Sequence, residues 1–137
     1  MNTDATTTLN LLCSQYDTFS KNGLGGKRPF STTLKTPHAE FYVRKMVGTH
    51  RLCLSNIALH PTIQHQGIFK KFVEYVTSHP YEYSGIEVEL SYNQNLTNYL
   101  QRVGWSVKQE IGGNPIFIAP TLYFNFKNAR TTNPISN

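Results

Sequence analysis

At Gly67 the apolar rhythm of this chain changes. Before it, Arg51 to His60 reads as a strand whose apolar weight is carried by Leu52, Leu54, Ile57 and Leu59. After it, Ile68, Phe72, Val73 and Val76 fall on one helical face while Lys70, Lys71 and Glu74 fall elsewhere. Pro80 stops that helix. The two are joined by a short polar connection, Pro61 to Gln66. Ile86, Val88 and Leu90 then alternate with Glu87, Glu89 and Ser91, which is again a strand. A strand, a helix and a strand in this order imply a right-handed crossover with parallel or mixed pairing.

The remaining segments fill in around that unit. Leu9, Leu12, Cys13 and Tyr16 predict a first helix that ends before Asn22-Gly23. Asn22 to Pro37, with three glycines and two prolines, reads as a loop. Ala39 to Val47 is a strand that pairs antiparallel with Arg51 to His60 across Gly48-Thr49-His50. Leu96, Tyr99, Leu100 and Val103 predict a later helix, ended by Gly104. Trp105 to Ile111 and Pro115 to Ile118 flank a Gly112-Gly113-Asn114 turn and form a closing hairpin. Leu122 to Phe126 extends the last strand, and its exposed edge offers a route to a homodimer. The expectation is one α/β (α+β) domain over residues 1–137, with a mixed, mostly antiparallel central sheet flanked by helices. Residues 1–8 and 127–137 are polar and expected to be flexible.

The formal charge of +5 suits an anionic partner, but the basic residues occur only as scattered pairs. No basic run, helix-turn-helix signature or aromatic RNA-binding motif supports a nucleic-acid partner. Cys13 and Cys53 lie in apolar surroundings and fit neither a disulfide framework nor a zinc site, so no metal is expected. With no signal peptide and no membrane-length apolar run, the expected location is cytoplasmic.

The junction at Gly67 carries the chemistry. A loop that opens a helix aims backbone N–H groups outward, and the helix start carries partial positive charge. Together they make a phosphate-sized anion site. The loop lacks the Lys-Ser/Thr ending of a P-loop and the three glycines of a dinucleotide fingerprint. The plainer reading is an ordinary strand–turn–helix junction.

The segment Leu59-His60-Pro61 followed by Gln64-His65-Gln66-Gly67-Ile68-Phe69 resembles the acetyl-CoA-binding motif of the GNAT superfamily of N-acetyltransferases, Q/R-x-x-G-x-G/A. Phe69 stands where Gly or Ala is usual. A second segment, Asn93 to Trp105, resembles the family's later motif through Asn93, Arg102, Gly104 and Trp105. The resemblance implies a GNAT-like acyl-CoA N-acyltransferase fold and transfer of an acetyl group from acetyl-CoA to an amine. It implies cofactor contacts from Ala58, Leu59, Gln64, His65, Gln66, Gly67, Ile68, Phe69, Lys70 and Asn93. The family's usual acid tyrosine aligns with Leu100, so its neighbour Tyr99 is the candidate acid. Glu89, on a strand near the expected splay, is the candidate base. A carboxylate found in some relatives is replaced here by Cys53. These departures sustain a second reading, a GNAT-fold interaction or inhibitory protein with weak or no catalysis.

Overall fold

The computed structural model describes residues 1–21, 30–90, 94–108 and 115–120. Helix α1 spans Thr3–Ser20, earlier than the flexible start expected, because the side chain of Asn2 accepts a hydrogen bond from the Ala5 amide. Its inward stripe is Ala5, Thr8, Leu12, Tyr16 and Phe19, spaced by three or four residues.

Strand β1 spans Ser31–Thr36, inside the stretch expected to be a loop. Its sequence STTLKT is β-branched but has a single large apolar residue, so its strand character is written in threonine and not in alternating hydrophobicity. It pairs antiparallel with β2 (Ala39–Met46) from Ser31↔Arg44 to Thr36↔Ala39. β2 in turn pairs antiparallel with β3 (Arg51–Leu59). After a 3-10 turn at Pro61–Ile63 comes α2 (Ile68–Ser78), which crosses over to β4 (Gly85–Glu89). β4 lies parallel to β3, as the crossover requires. α3 (Gln94–Arg102) leads to the hairpin of β5 (Ser106–Lys108) and β6 (Ile116–Ile118), and β6 pairs antiparallel with β4. The sheet order is β1-β2-β3-β4-β6-β5. The expected extension at Leu122 to Phe126 lies outside the described residues.

One sheet face, with Phe41, Val43, Leu52, Leu54, Ile86 and Val88 all buried, packs under the helices. Phe72 of α2 meets Phe41 of the sheet and Tyr16 of α1 edge-on, at centroid separations of 5.2 and 5.9 Å. Each such side chain contributes about 1.5–3 kcal/mol by leaving water. The opposite face carries ion pairs: Arg44 with Glu89 at 3.1 Å and Arg51 with Glu87 at 3.6 Å.

Two local events open the sheet. Asn56 adopts φ 48°, and the β2–β3 register shifts between Glu40 and Tyr42, so β3 carries one extra residue there. The β3–β4 ladder ends at Ser55↔Glu89. Beyond it β3 runs on to Leu59, held by β2 through Glu40↔Ala58 and Ala39↔Leu59. Leu90 instead donates its amide to Pro115, on the side of β6. The two central parallel strands therefore part. Among the described residues no helix is long and apolar enough to cross a membrane.

Candidate functional site: a cleft at the strand splay

The end of β3 beyond the splay, the front of α2 and the near face of α3 enclose an open cleft of about 270 Å³. Its wall includes Ile57 and Leu59 from β3, the loop residues Gln64, His65 and Gly67, then Ile68, Phe69 and Lys70 of α2. Asn95, Leu96 and Tyr99 of α3 close it.

The loop is shaped by two left-handed residues, His65 at φ 60° and Gly67 at φ 78°. Gly67 is the N-cap of α2 and provides no side-chain hydrogen bond. The first bond of that helix runs from the Lys71 amide to the Gly67 carbonyl at 3.0 Å, so the amides of Ile68, Phe69 and Lys70 have no acceptor within the helix. A Cβ added at Gly67 would meet nothing within 4 Å, so glycine is needed there for its φ and leaves open space above the helix front. Gln64 donates from Nε2 to the Leu59 carbonyl at 3.0 Å, tying the loop back to the strand end.

Phe69 does not plug the front. It is 8% exposed, and its ring packs on Tyr99 and Trp105 with both centroids 6.2 Å away. The large residue at this motif position is absorbed into the α2–α3 contact. A second cavity of about 230 Å³ lies beyond it, between Val73, Val103, Trp105 and Pro120.

On α3, Leu100 is fully buried and Tyr99 lines the cleft. The tyrosine one residue from the usual position is thus the one that faces the opening, with the Arg102 guanidinium 5.6 Å from its ring centre. Leu96, three residues earlier on the same helical side, joins it.

Of the expected cofactor contacts, Leu59, Gln64, His65, Gly67, Ile68, Phe69 and Lys70 come together around the cleft. Ala58 is exposed but is not among the cleft-lining residues, and the Gln66 side chain accepts the amide of Asn2 at 3.0 Å. Asn93 lies outside the described residues. Glu89 is not on the cleft wall: its carboxylate sits on the helix-free side of the β4 ladder, bonded to Arg44 Nη2 at 3.1 Å. The same nitrogen lies 3.5 Å from the Cys53 sulfur, and this contact is the main cause of the upward shift of the Arg44 pKa. Burial pushes the Cys53 thiol up, against the opposing pull of the Arg44 guanidinium. Tyr81 and Tyr83 are drawn away from the cleft and bond Asp17 and Ser20 of α1.

The motifs do not single out Ile57, Asn95 and Leu96, which also line the cleft. A signal for Ile57 is present in the sequence: the alternation Leu52, Leu54 slips by one residue before Ile57, Leu59, which is the imprint of the extra residue at Asn56.

No protein-family model matches the sequence, and no curated protein matches it. Solved structures do match in fold. An acetyltransferase from Thermus thermophilus superposes with a TM-score of 0.55 at 12% identity, over 85% of this chain and 90% of that one. The KacTA–DNA complex matches at a TM-score of 0.47 and 18% identity, over 70% of this chain and 64% of that one. An AtaT mutant toxin bound to the C-terminus of the antitoxin AtaR matches at 0.46 and 15%, over 70% of this chain and 65% of that one. This chain therefore spans less than two thirds of the last two. With its mixed sheet, its splay and an acetyltransferase of matching fold, the chain has a GNAT-like acyltransferase fold.

Proposed function

We propose that the chain binds acetyl-CoA in the splay cleft and transfers its acetyl group to an amine. The observation that carries this reading is the uncapped front of α2 standing beside an unpaired strand end. A diphosphate suits the free amides of Ile68, Phe69 and Lys70 and the positive end of the helix. Lys70 adds a cation at the same mouth. The pantetheine arm suits the gap next to Ile57 to Leu59, where it can pair with strand backbone. Ala58, Gln66 and Asn93 complete the proposed cofactor set, the first two through backbone groups.

In the reaction the amine nitrogen attacks the thioester carbonyl, and a backbone N–H near Leu59 stabilises the oxyanion. The C–S bond then breaks. Tyr99 gives its proton to the departing thiolate, and a base removes the proton lost by the amine. Glu89 is that base, reached from the helix-free face of the sheet. An incoming ammonium group carries the same charge as the Arg44 guanidinium that it must displace.

The tie between Glu89 and Arg44 favours a second reading, a GNAT-fold interaction or inhibitory protein with weak or no catalysis. One titration separates the two. Calorimetry with acetyl-CoA is expected to give saturable binding to the wild type. For Gly67→Glu it is expected to show a loss of about a hundredfold or more, since a carboxylate beside a diphosphate costs several kcal/mol. Equal, weak heats for both proteins would remove the cofactor site and the transfer reading with it, and leave the second reading standing.

A further inference from the structure

We infer that Asn2 is a positioning residue for the cofactor loop, a clamp that holds the loop in its ligand-ready shape from the start of α1. This inference rests on the acetyl-CoA reading above.

Besides accepting the Thr6 amide at its backbone carbonyl at 3.0 Å, Asn2 makes three further hydrogen bonds. Its Oδ1 accepts the Ala5 amide at 2.7 Å, which caps α1. Its Nδ2 donates to the Thr62 carbonyl at 3.0 Å, in the turn that leaves β3. Its backbone amide donates to Oε1 of Gln66 at 3.0 Å, on the residue before Gly67. One residue thus grips the loop on both sides of His65, whose positive φ makes it a strained point of the turn.

A second connection runs parallel to the first. Asp4, in the first turn of α1, lies 3.9 Å from Nε2 of His38 in the β1–β2 turn. The His38 ring packs edge-on against His60 at 5.5 Å. His60 Nδ1 bonds the Thr62 hydroxyl at 2.9 Å and accepts the Thr62 amide at 3.2 Å. The chain from Asn2 to Thr62, His60, His38 and Asp4 returns to α1 and closes a ring around the base of the loop. Neither Asn2 nor Gln66 lines the cleft, and the Gln66 side chain is engaged by the Asn2 amide, so the effect of these side chains on a ligand passes through loop geometry.

The loop needs such support. It is short, two of its residues are left-handed, and Gly67 is the most freely moving residue type at the point where the amides must converge. Fixing it before the ligand arrives removes an ordering cost from binding.

Two variants separate the clamp from the cap. Asn2→Asp keeps an oxygen to cap α1 and removes the donor to Thr62. Gln66→Ala leaves the cap whole and removes the acceptor for Asn2. Each is expected to leave the melting temperature nearly unchanged and to weaken acetyl-CoA binding about two- to tenfold, the range of one or two solvent-accessible hydrogen bonds. For Asn2→Asp, turnover at saturation is expected to stay level, so the change is confined to KM. Hydrogen exchange of the ligand-free protein is expected to quicken at the amides of residues 64–70 and to stay unchanged in the middle of α2. Unaltered exchange and affinity in both variants would overturn the clamp. If the wild type binds no acetyl-CoA, the positioning role falls along with the cofactor reading. Exchange at the loop then reports separately whether the contact holds the backbone.

Discussion

Helices α1 and α2 lie side by side on one face of the sheet, yet they begin in opposite ways. The front of α1 is closed: Asn2 caps it and Asp4 lies in its first turn, which complements the helix dipole. The front of α2 has a left-handed glycine as its cap, no acidic residue in its first turn and no side chain that bonds its amides. A helix left uncapped forgoes about 1 kcal/mol of stability. A strongly amphipathic helix that buries Ile68, Phe69, Phe72, Val73 and Val76 can tolerate that loss, because packing and not capping holds it. The bare front of α2 is therefore not a weakness of a poorly formed helix. It is an unfilled set of donors on a well-anchored one, and the closed front of α1 is what holds the loop before it.

The largest expected effect lies on the wall of the open front. Tyr99→Phe keeps the ring against Phe69 and removes only the hydroxyl. Loss of a general acid lowers turnover about a hundredfold or more. Steady-state assays should show that drop with acetyl-CoA affinity within about twofold of wild type, because no phosphate contact is touched. An unchanged rate would leave the open front as a binding device alone.

The next effect comes from opening the closed front. Asn2→Ala should cost about 1 kcal/mol, read as a melting temperature lower by a few degrees. A loss no greater than that of Thr6→Ala, at a neighbouring exposed position, would show that α1 too is held by packing alone.

A third effect belongs to the other end of α1. There Asp17 accepts hydrogen bonds from Tyr75 and Tyr81, and Tyr83 bonds Ser20 at 2.8 Å. Burial, joined for Tyr81 by its bond to Asp17, pushes the Tyr81 and Tyr83 hydroxyls up to about 12 from 10. Because the folded values are raised, the stability they contribute is complete below pH 10 and is lost as pH rises from about 10 to 12. Urea midpoints measured across that range should fall, and Tyr83→Phe should flatten the decline. A midpoint that does not move would show that α1 is indifferent to its C-terminal tyrosines.

Much of this arrangement is legible in local pattern. The amphipathic period after Gly67, the alternation of Ile86 with Val88, and the glycine that begins the turn–helix junction are one-dimensional signals, because each helix or strand writes its own repeat. Strand β1 escapes for the same reason: it is an edge strand with one large apolar residue, and threonines flanked by glycine and proline read as loop. Which of Tyr99 and Leu100 faces the cleft depends on a helical phase that spacing leaves open; burial of Leu100 in the core decides it.

Apart from β1, the sequence alone determined the kinds of element and their order, and with them a mixed α/β sheet, since periodicity and glycine placement act within a few residues. Only the tertiary structure decided where the sheet parts, which way Tyr99 turns, and that Glu89 is held by Arg44. It alone revealed the grip of Asn2 on Gln66. Those last two contacts join residues 45 and 64 positions apart. Hydrogen bonds of that reach are made by the packing of whole elements and leave no local imprint on the chain.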